Sequence, residues 1–243
     1  MGVGDGPVNP ATGSSGGSRR GTTVLAIDTA TEAVVTGPAV VGDDGTVEVL
    51  AQRVVTDHRR HAELLTTLIA ETLAESGVSR SDIDAVVVGT GPGPFTGLRV
   101  GMATAAGFAD ALGVPAYGVC SLDAIAAAAD RRGTIVVVTD ARRRELYWAR
   151  YLDGRRVHGP QVAAPSAVQA ELNGVAVDLA LGSPTHVESV GLSAGEIAVP
   201  SVLGLVSSAA DAIRAGDEPP ALVPLYLRRP DAVERKATGV VRG

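Results

Sequence analysis

The sequence predicts an α/β protein. Two observations carry this. Short apolar runs rich in Val and Ile alternate with longer stretches whose apolar residues recur at helical spacing. The pattern then restarts. A strand, tight turn, strand opening at Val24 returns at Thr134, as a distant internal duplication or as the ordinary self-similarity of α/β chains.

The elements follow in chain order. TTVLAIDTAT (Thr22–Thr31) is a buried-type strand that ends in an Asp-Thr turn. AVVTGPAVV (Ala33–Val41) is β-rich but carries Gly37-Pro38. Proline cannot donate to a ladder, so a bulged or edge strand is expected. After the turn signal GDDG, TVEVLAQRVV (Thr46–Val55) completes a meander. A helix is predicted over about His58–Glu75, with Leu64, Leu65, Leu68, Ile69 and Leu73 in one stripe and Gly77 as its stop. Asp84–Gly89 is a second buried strand, and a helix over about Gly97–Leu112 is capped by Gly113. The strand Ala116–Cys120 leads into a helix with Ser121 as N-cap and Asp123 in its first turn. Gly133–Tyr151 reads as two strands around a turn at Asp140–Arg144. Gly154–Ser183 is weakly patterned, with a short strand near Val175–Leu181. A helix over about Val202–Ala215 follows, and LVPLYLRRP closes the fold.

Composition narrows the function. The 243 residues carry a net charge of −6, and Lys236 is the single lysine. An acidic chain is a poor non-specific nucleic-acid binder on its own. The one cysteine, Cys120, rules out an internal disulfide and a CxxC metal site, which fits a reducing cytoplasm. No apolar run approaches the roughly 18 residues of a membrane span. Residues 1–21, rich in Gly, Ser and Pro, read as a disordered tail without a secretory h-region, and residues 231–243 as a flexible one.

The stretch GTGPGPFTGLRVG (Gly89–Gly101) poses the main chemical question. It lies between a strand and a helix, where glycine loops often hold phosphates. Leu98 stands where a Walker A loop needs lysine, and the spacing Gly91, Gly93, Thr96 fails the dinucleotide fingerprint. No GxSxG elbow occurs. The loop is therefore either an anion site helped by Arg99 or a stiff turn that launches a helix. In that helix Gly101, Ala105 and Ala109 recur every four residues, as do Ala103 and Gly107. Such stripes allow close approach of another helix or of the sheet.

Other chemistry is sparse. His58 and His61 share a helical spacing but lack a third metal ligand, and HExxH is absent. Asp28, Thr29 and Thr31 read as nucleotide contacts or as turn builders. DARRRE (Asp140–Glu145) reads as a basic contact for a phosphate or an acidic partner, or as a solvated hairpin tip.

Taken together, LAIDTAT, HAELL, GPGPFTGLRVGMATAAGFADALGVPAYGVCSLDAIA, TDARRRELYWARY and PLYLRRP resemble the TsaB (YeaZ) family, in its actinobacterial form. The resemblance spans about Val24–Pro230. It implies an actin-like ATPase (ASKHA, ribonuclease H-like) fold, with an N-terminal lobe over 22–126 and a C-terminal lobe over 127–230. It implies a cytoplasmic, non-catalytic subunit that helps to install threonylcarbamoyladenosine beside the anticodon of tRNA. The implied partners are the catalytic paralogue TsaD and the ATPase TsaE; a homodimer stays open, and tRNA is met only indirectly. Pairing with TsaD is expected through the two N-lobe helices, with Leu64, Leu65, Leu68, Ile69, Arg99, Gly101, Ala105 and Phe108 as interface residues. No cofactor is implied, with ATP or ADP at the partner interface left open. TsaD-like proteins carry two metal-binding histidines four apart after a Gly-Val strand end. Aligned on Gly118-Val119, those places hold Ser121 and Ile125 here. The alternative is a stand-alone ATPase or phosphotransferase of the same fold.

Overall fold

The computed structural model describes residues 21–56 and 61–228. The expected terminal tails and His58 lie outside them. The first sheet is built from β1 (Thr22–Asp28), β2 (Ala33–Val41), β3 (Val47–Val49), β4 (Arg53–Thr56), β5 (Ala85–Gly89) and β6 (Ala116–Val119). Its order is β3-β2-β1-β5-β6, with β4 also paired to β2. β1 runs antiparallel to β2 and parallel to β5, and β5 runs parallel to β6. The second sheet is built from β7 (Thr134–Asp140), β8 (Leu146–Leu152), β9 (Arg155–Ala163) and β10 (Leu179–Gly182). Its order, β10-β7-β8-β9, has the same plan: an antiparallel β7–β8–β9 meander with a parallel strand added beside the first.

The Gly37-Pro38 strand departs from expectation. β2 is neither bulged nor at the edge; all nine residues are buried and its register with β1 runs unbroken from Val41 to Val35. The irregularity falls on its other neighbour. The expected strand over Thr46–Val55 splits into β3 and β4, which pair β2 on either side of Gly37-Pro38. Pro38 has no N–H to offer, so the ladder breaks there. Its carbonyl instead accepts from the Leu50 N–H at 2.9 Å. The chain between β3 and β4 presses so close that a Cβ on Gly37 would lie 2.0 Å from the Ala51 carbonyl oxygen.

The helices are α1 (His61–Ser76), α2 (Phe95–Leu112), α3 (Ser121–Ala127), α4 (Pro165–Leu172), α5 (Pro184–Ser189) and α6 (Val202–Ala215). α2 begins two residues earlier than its periodicity indicates and ends where Gly113 takes the left-handed conformation, φ 69°. One face of the first sheet packs on α1 and α2 through Leu65, Leu68, Ile69, Met102 and Ala105. The other packs on α6, which returns from late in the chain with Val202, Leu205, Val206 and Ile213. α3 goes the other way: Leu122, Ile125 and Ala126 join the second sheet's core. α3 and α6 meet at backbone distance, and a Cβ on Gly204 would lie 1.9 Å from the Ala124 carbonyl.

β9 lies where the sequence is weakly patterned. It is an edge strand whose residues are exposed or half-buried, so it lacks the apolar run that marks β7 and β8. The closing segment crosses between the sheets. The Leu225 N–H donates to the Thr90 carbonyl at 2.8 Å, and the Arg228 guanidinium donates to the Ala141 and Arg142 carbonyls at the β7–β8 turn.

Two glycine substitutions should behave oppositely. Gly37→Ala forces backbone movement against Ala51 and should cost about 3 kcal/mol. Gly107→Ala, in a helix interior with no neighbour within 4 Å, should stabilise by about 0.5–1 kcal/mol. Thermal melting measures both; equal effects would mean that the crossing at Gly37 is not tight.

Candidate functional site

In α/β folds ligands gather beyond the carboxyl ends of the strands, and here the end of β1 is closed in by the protein's own groups. Asp28 ends β1 and is fully buried. The Ala30 N–H donates to one carboxylate oxygen at 2.8 Å and the Ser121 hydroxyl to the other at 2.5 Å. Burial raises its pKa to about 6, against the opposing pull of the Ser121 and Ala30 hydrogen bonds. Thr29 is buried as well and donates to the Gly97 carbonyl at 2.6 Å. The Thr31 hydroxyl accepts from the Ala33 N–H at 3.2 Å. All three side chains suggested as nucleotide contacts thus hydrogen-bond to groups of the protein itself.

The same turn explains the glycines. A Cβ on Gly89 would lie 1.7 Å from the Asp28 carboxylate, one on Gly93 1.9 Å from the Ala30 carbonyl, and one on Gly97 2.4 Å from the Thr29 carbonyl. One on Gly101 would lie 2.3 Å from the Thr29 hydroxyl. Four glycines are needed because residues 28–30 lie in the hollow of the loop, the place a phosphate takes in a nucleotide loop.

Ser121 is not the N-cap of α3; Cys120 takes that position, and Ser121 is the first helical residue, its hydroxyl committed to Asp28. Four residues on, Ile125 is fully buried in the second core. The two places that the resemblance aligns with metal-binding histidines therefore hold a hydroxyl tied to a carboxylate and a hydrocarbon. Among the described residues no group of three His, Cys, Asp or Glu side chains could hold a metal ion.

The expected interface residues divide. Leu65, Leu68 and Ile69 of α1 and Gly101 and Ala105 of α2 are buried against the first sheet and the Thr29 turn, and so do not present a surface. Leu64 and Phe108 are half-buried at the rim, and Arg99 is exposed. The reason is the helical period. Leu98, Gly101, Met102, Ala105 and Ala109 form the inward stripe. The second small-residue series, Ala103 and Gly107, lies outward with Ala106 and Ala111 exposed beside it. Setting Leu98 and Met102 beside the two series would have told them apart, because the large apolar residues mark the buried one.

At the start of α2, Phe95 stacks on Tyr226 with ring centroids 5.1 Å apart, the Arg99 guanidinium lies 3.9 Å from the Phe95 ring centroid, and Arg99 donates to the Tyr226 hydroxyl at 3.1 Å. Sequence reasoning missed this cluster, since Tyr226 is 127 residues from Arg99.

Two sheets of one plan, with the glycine loop and helix on the first, define an actin-like, ribonuclease H-like fold. The family described as tRNA N6-adenosine threonylcarbamoyltransferase (TsaD) matches residues 48–219. An uncharacterized protein of Mycobacterium tuberculosis is 52% identical over 210 residues, 86% of this chain and 93% of that one. The Escherichia coli tRNA threonylcarbamoyladenosine biosynthesis protein TsaB is 37% identical over 131 residues, 53% of this chain and 54% of that one. A solved Pseudomonas aeruginosa protein, described as similar to the peptidase YeaZ, superposes with a TM-score of 0.72 at 30% identity, covering 85% of this chain and all of that one. The chain belongs to this threonylcarbamoyltransferase family, in its TsaB (YeaZ) branch.

Asp28 gives the site a pH signature. The folded carboxyl keeps its proton to about pH 6 and the unfolded one only to the ordinary aspartate value of 3.8. Between these the folded state binds more protons, so stability falls as pH rises through the window, by up to about 3 kcal/mol. Asp28→Asn keeps an acceptor for the Ala30 N–H and a donor for Ser121. It should flatten this slope and be the more stable protein at pH 7.5, by urea denaturation. A slope unchanged in the variant would assign the titration to another group.

Proposed function

We propose that this chain is the non-catalytic subunit of a complex that installs the threonylcarbamoyl group on the adenosine beside the anticodon in tRNA, and that it binds and stabilises a catalytic paralogue of the TsaD kind. The observation that carries this is the pair Ser121 and Ile125. These positions stand where the resemblance places metal ligands, and neither side chain replaces a neutral imidazole. Both are buried, with Ser121 bonded to Asp28. Family membership supports the pathway, and the names of the TsaB and TsaD relatives supply the reaction.

The partner face is the outer side of α2 about Ala103 and Gly107, flanked by Arg99 and Phe108, with Leu64 of α1 at its rim. A Cβ on Gly107 meets nothing within 4 Å, so a partner helix can come close there. Gly101 and Ala105 act behind this face by seating α2 on the turn. An ATPase of the TsaE kind and a homodimer of the free chain through the same face complete the reading. The stand-alone ATPase has less support, because Asp28 and Thr29 are buried and spent on the protein's own hydrogen bonds.

Co-elution with the TsaD paralogue on a sizing column tests this. The wild type should shift into a complex. Ala103→Leu with Gly107→Leu should weaken pairing at least about tenfold, since overpacking a close contact costs about 1–3 kcal/mol, while the free variant melts no lower than the wild type. If the wild type does not shift, the pairing is wrong. If the variant pairs as tightly as the wild type, the face lies elsewhere.

A further inference from the structure

We propose that the β7–β8 tip carrying Arg142, Arg143 and Arg144 is a contact surface for the phosphodiester backbone of RNA. The choice of RNA as the polyanion rests on the tRNA-modifying role proposed above. The placement of the surface rests on the tip itself.

All three arginines are exposed, and all three have left-handed backbone, φ 61°, 52° and 62°. A turn of this shape is served by glycine or asparagine, which reach that region without the steric penalty of a longer side chain. Three successive arginines run against backbone preference, so their side chains account for their presence. The turn is also held in place from within. Ala141 and Leu146, on its two sides, are buried. The Arg142 N–H donates to the Asp140 carboxylate at 2.6 Å, and the Glu145 N–H to the Arg142 carbonyl at 3.0 Å.

Four arginines, Arg142, Arg143, Arg144 and Arg228, gather here with two acids, Asp140 and Glu145. Glu145 is paired with Arg228, which also donates to the Ala141 and Arg142 carbonyls. The Asp140 carboxylate faces His186 at 3.4 Å. The result is a local surplus of positive charge on a chain whose net charge is −6. Long-range attraction cannot bring a polyanion to such a chain; only a local cluster can hold one, and the planar guanidinium fork matches phosphate oxygens in pairs.

The place fits as well. Tyr226, two residues before Arg228, bonds Arg99 in the first turns of α2. The tip is therefore linked by one short segment to the start of the face proposed for the catalytic paralogue. RNA held at the tip lies beside that partner rather than across the molecule from it.

The test uses two triple variants of the full chain. Arg142→Asn, Arg143→Gly, Arg144→Asn supplies residues that favour left-handed backbone, so it should melt no lower than the wild type. Arg142→Lys, Arg143→Lys, Arg144→Lys keeps the charge and the strain. Fluorescence anisotropy would follow a labelled tRNA and a labelled 12-nucleotide oligouridylate from about 50 to 200 mM salt, with the free chain and with the paralogue added. The Asn-Gly-Asn variant should bind at least about tenfold more weakly at the low-salt end. Its salt slope should fall by about 2, at about 0.7 per lost phosphate contact on a single strand. The Lys variant should keep the slope. Equal binding by wild type and the Asn-Gly-Asn variant, or no wild-type RNA binding in either state, overturns the proposal. So does a tip that binds polyglutamate and not RNA, which would make the partner an acidic protein. Co-elution of the Asn-Gly-Asn variant with the paralogue should be unchanged, so a failure of the pairing is read separately from a failure at the tip.

Discussion

The structure depends on one close approach: the turn Asp28–Ala30, its backbone and side chains, seated in the hollow of the glycine loop. That seat requires glycine at positions 89, 93, 97 and 101, where any Cβ would fall inside contact distance of the turn. It fixes where α2 begins and how α2 is rotated about its axis. With Gly101 against Thr29, Leu98, Met102 and Ala105 must face the sheet, and Ala103 and Gly107 must face outward. The surface offered to a partner follows from an internal packing constraint. The loop that looks like a phosphate cradle uses its open space to bring its own chain close.

The same turn joins the two sheets. Asp28 reaches across to Ser121 at the start of α3, and α3 delivers its apolar side chains to the second core. α6 makes the reverse crossing, and the two helices touch at Gly204. The closing segment adds a third tie, from Thr90 in the glycine loop to the β7–β8 turn through Leu225 and Arg228. A buried carboxylate is an expensive way to make one of these links, since its charged form loses water that two hydrogen bonds replace only in part. The retained charge makes Asp28 a site of strain in the fold at neutral pH.

Local order in the chain left clear marks. β1, β5, β7 and β8 are apolar runs because both faces of their sheets are covered, and α2 and α6 end at glycines that take left-handed conformations. β9 left none, because a half-exposed edge strand needs no apolar pattern. The stop in Thr46–Val55 was invisible for another reason: it is imposed by Pro38 on the neighbouring strand, not by a residue of its own. Of the site, the loop, the turn and Ser121 were all visible as candidates. Which of them face each other was not, nor was the Phe95–Arg99–Tyr226 cluster, whose members meet only after the chain has crossed both sheets.

By itself the sequence determined the α/β class, the positions of most strands and helices, the family motifs and the hydrocarbon and hydroxyl that stand at the aligned metal positions. These are properties of residue type and period, which each short segment carries alone. Only the tertiary structure decided that the glycine loop encloses its own first turn, that Gly101 and Ala105 lie inward while Ala103 and Gly107 lie outward, and that Arg228 braces a left-handed arginine turn. Those outcomes depend on which atoms compete for the same space, and that is settled only when residues far apart in sequence pack together.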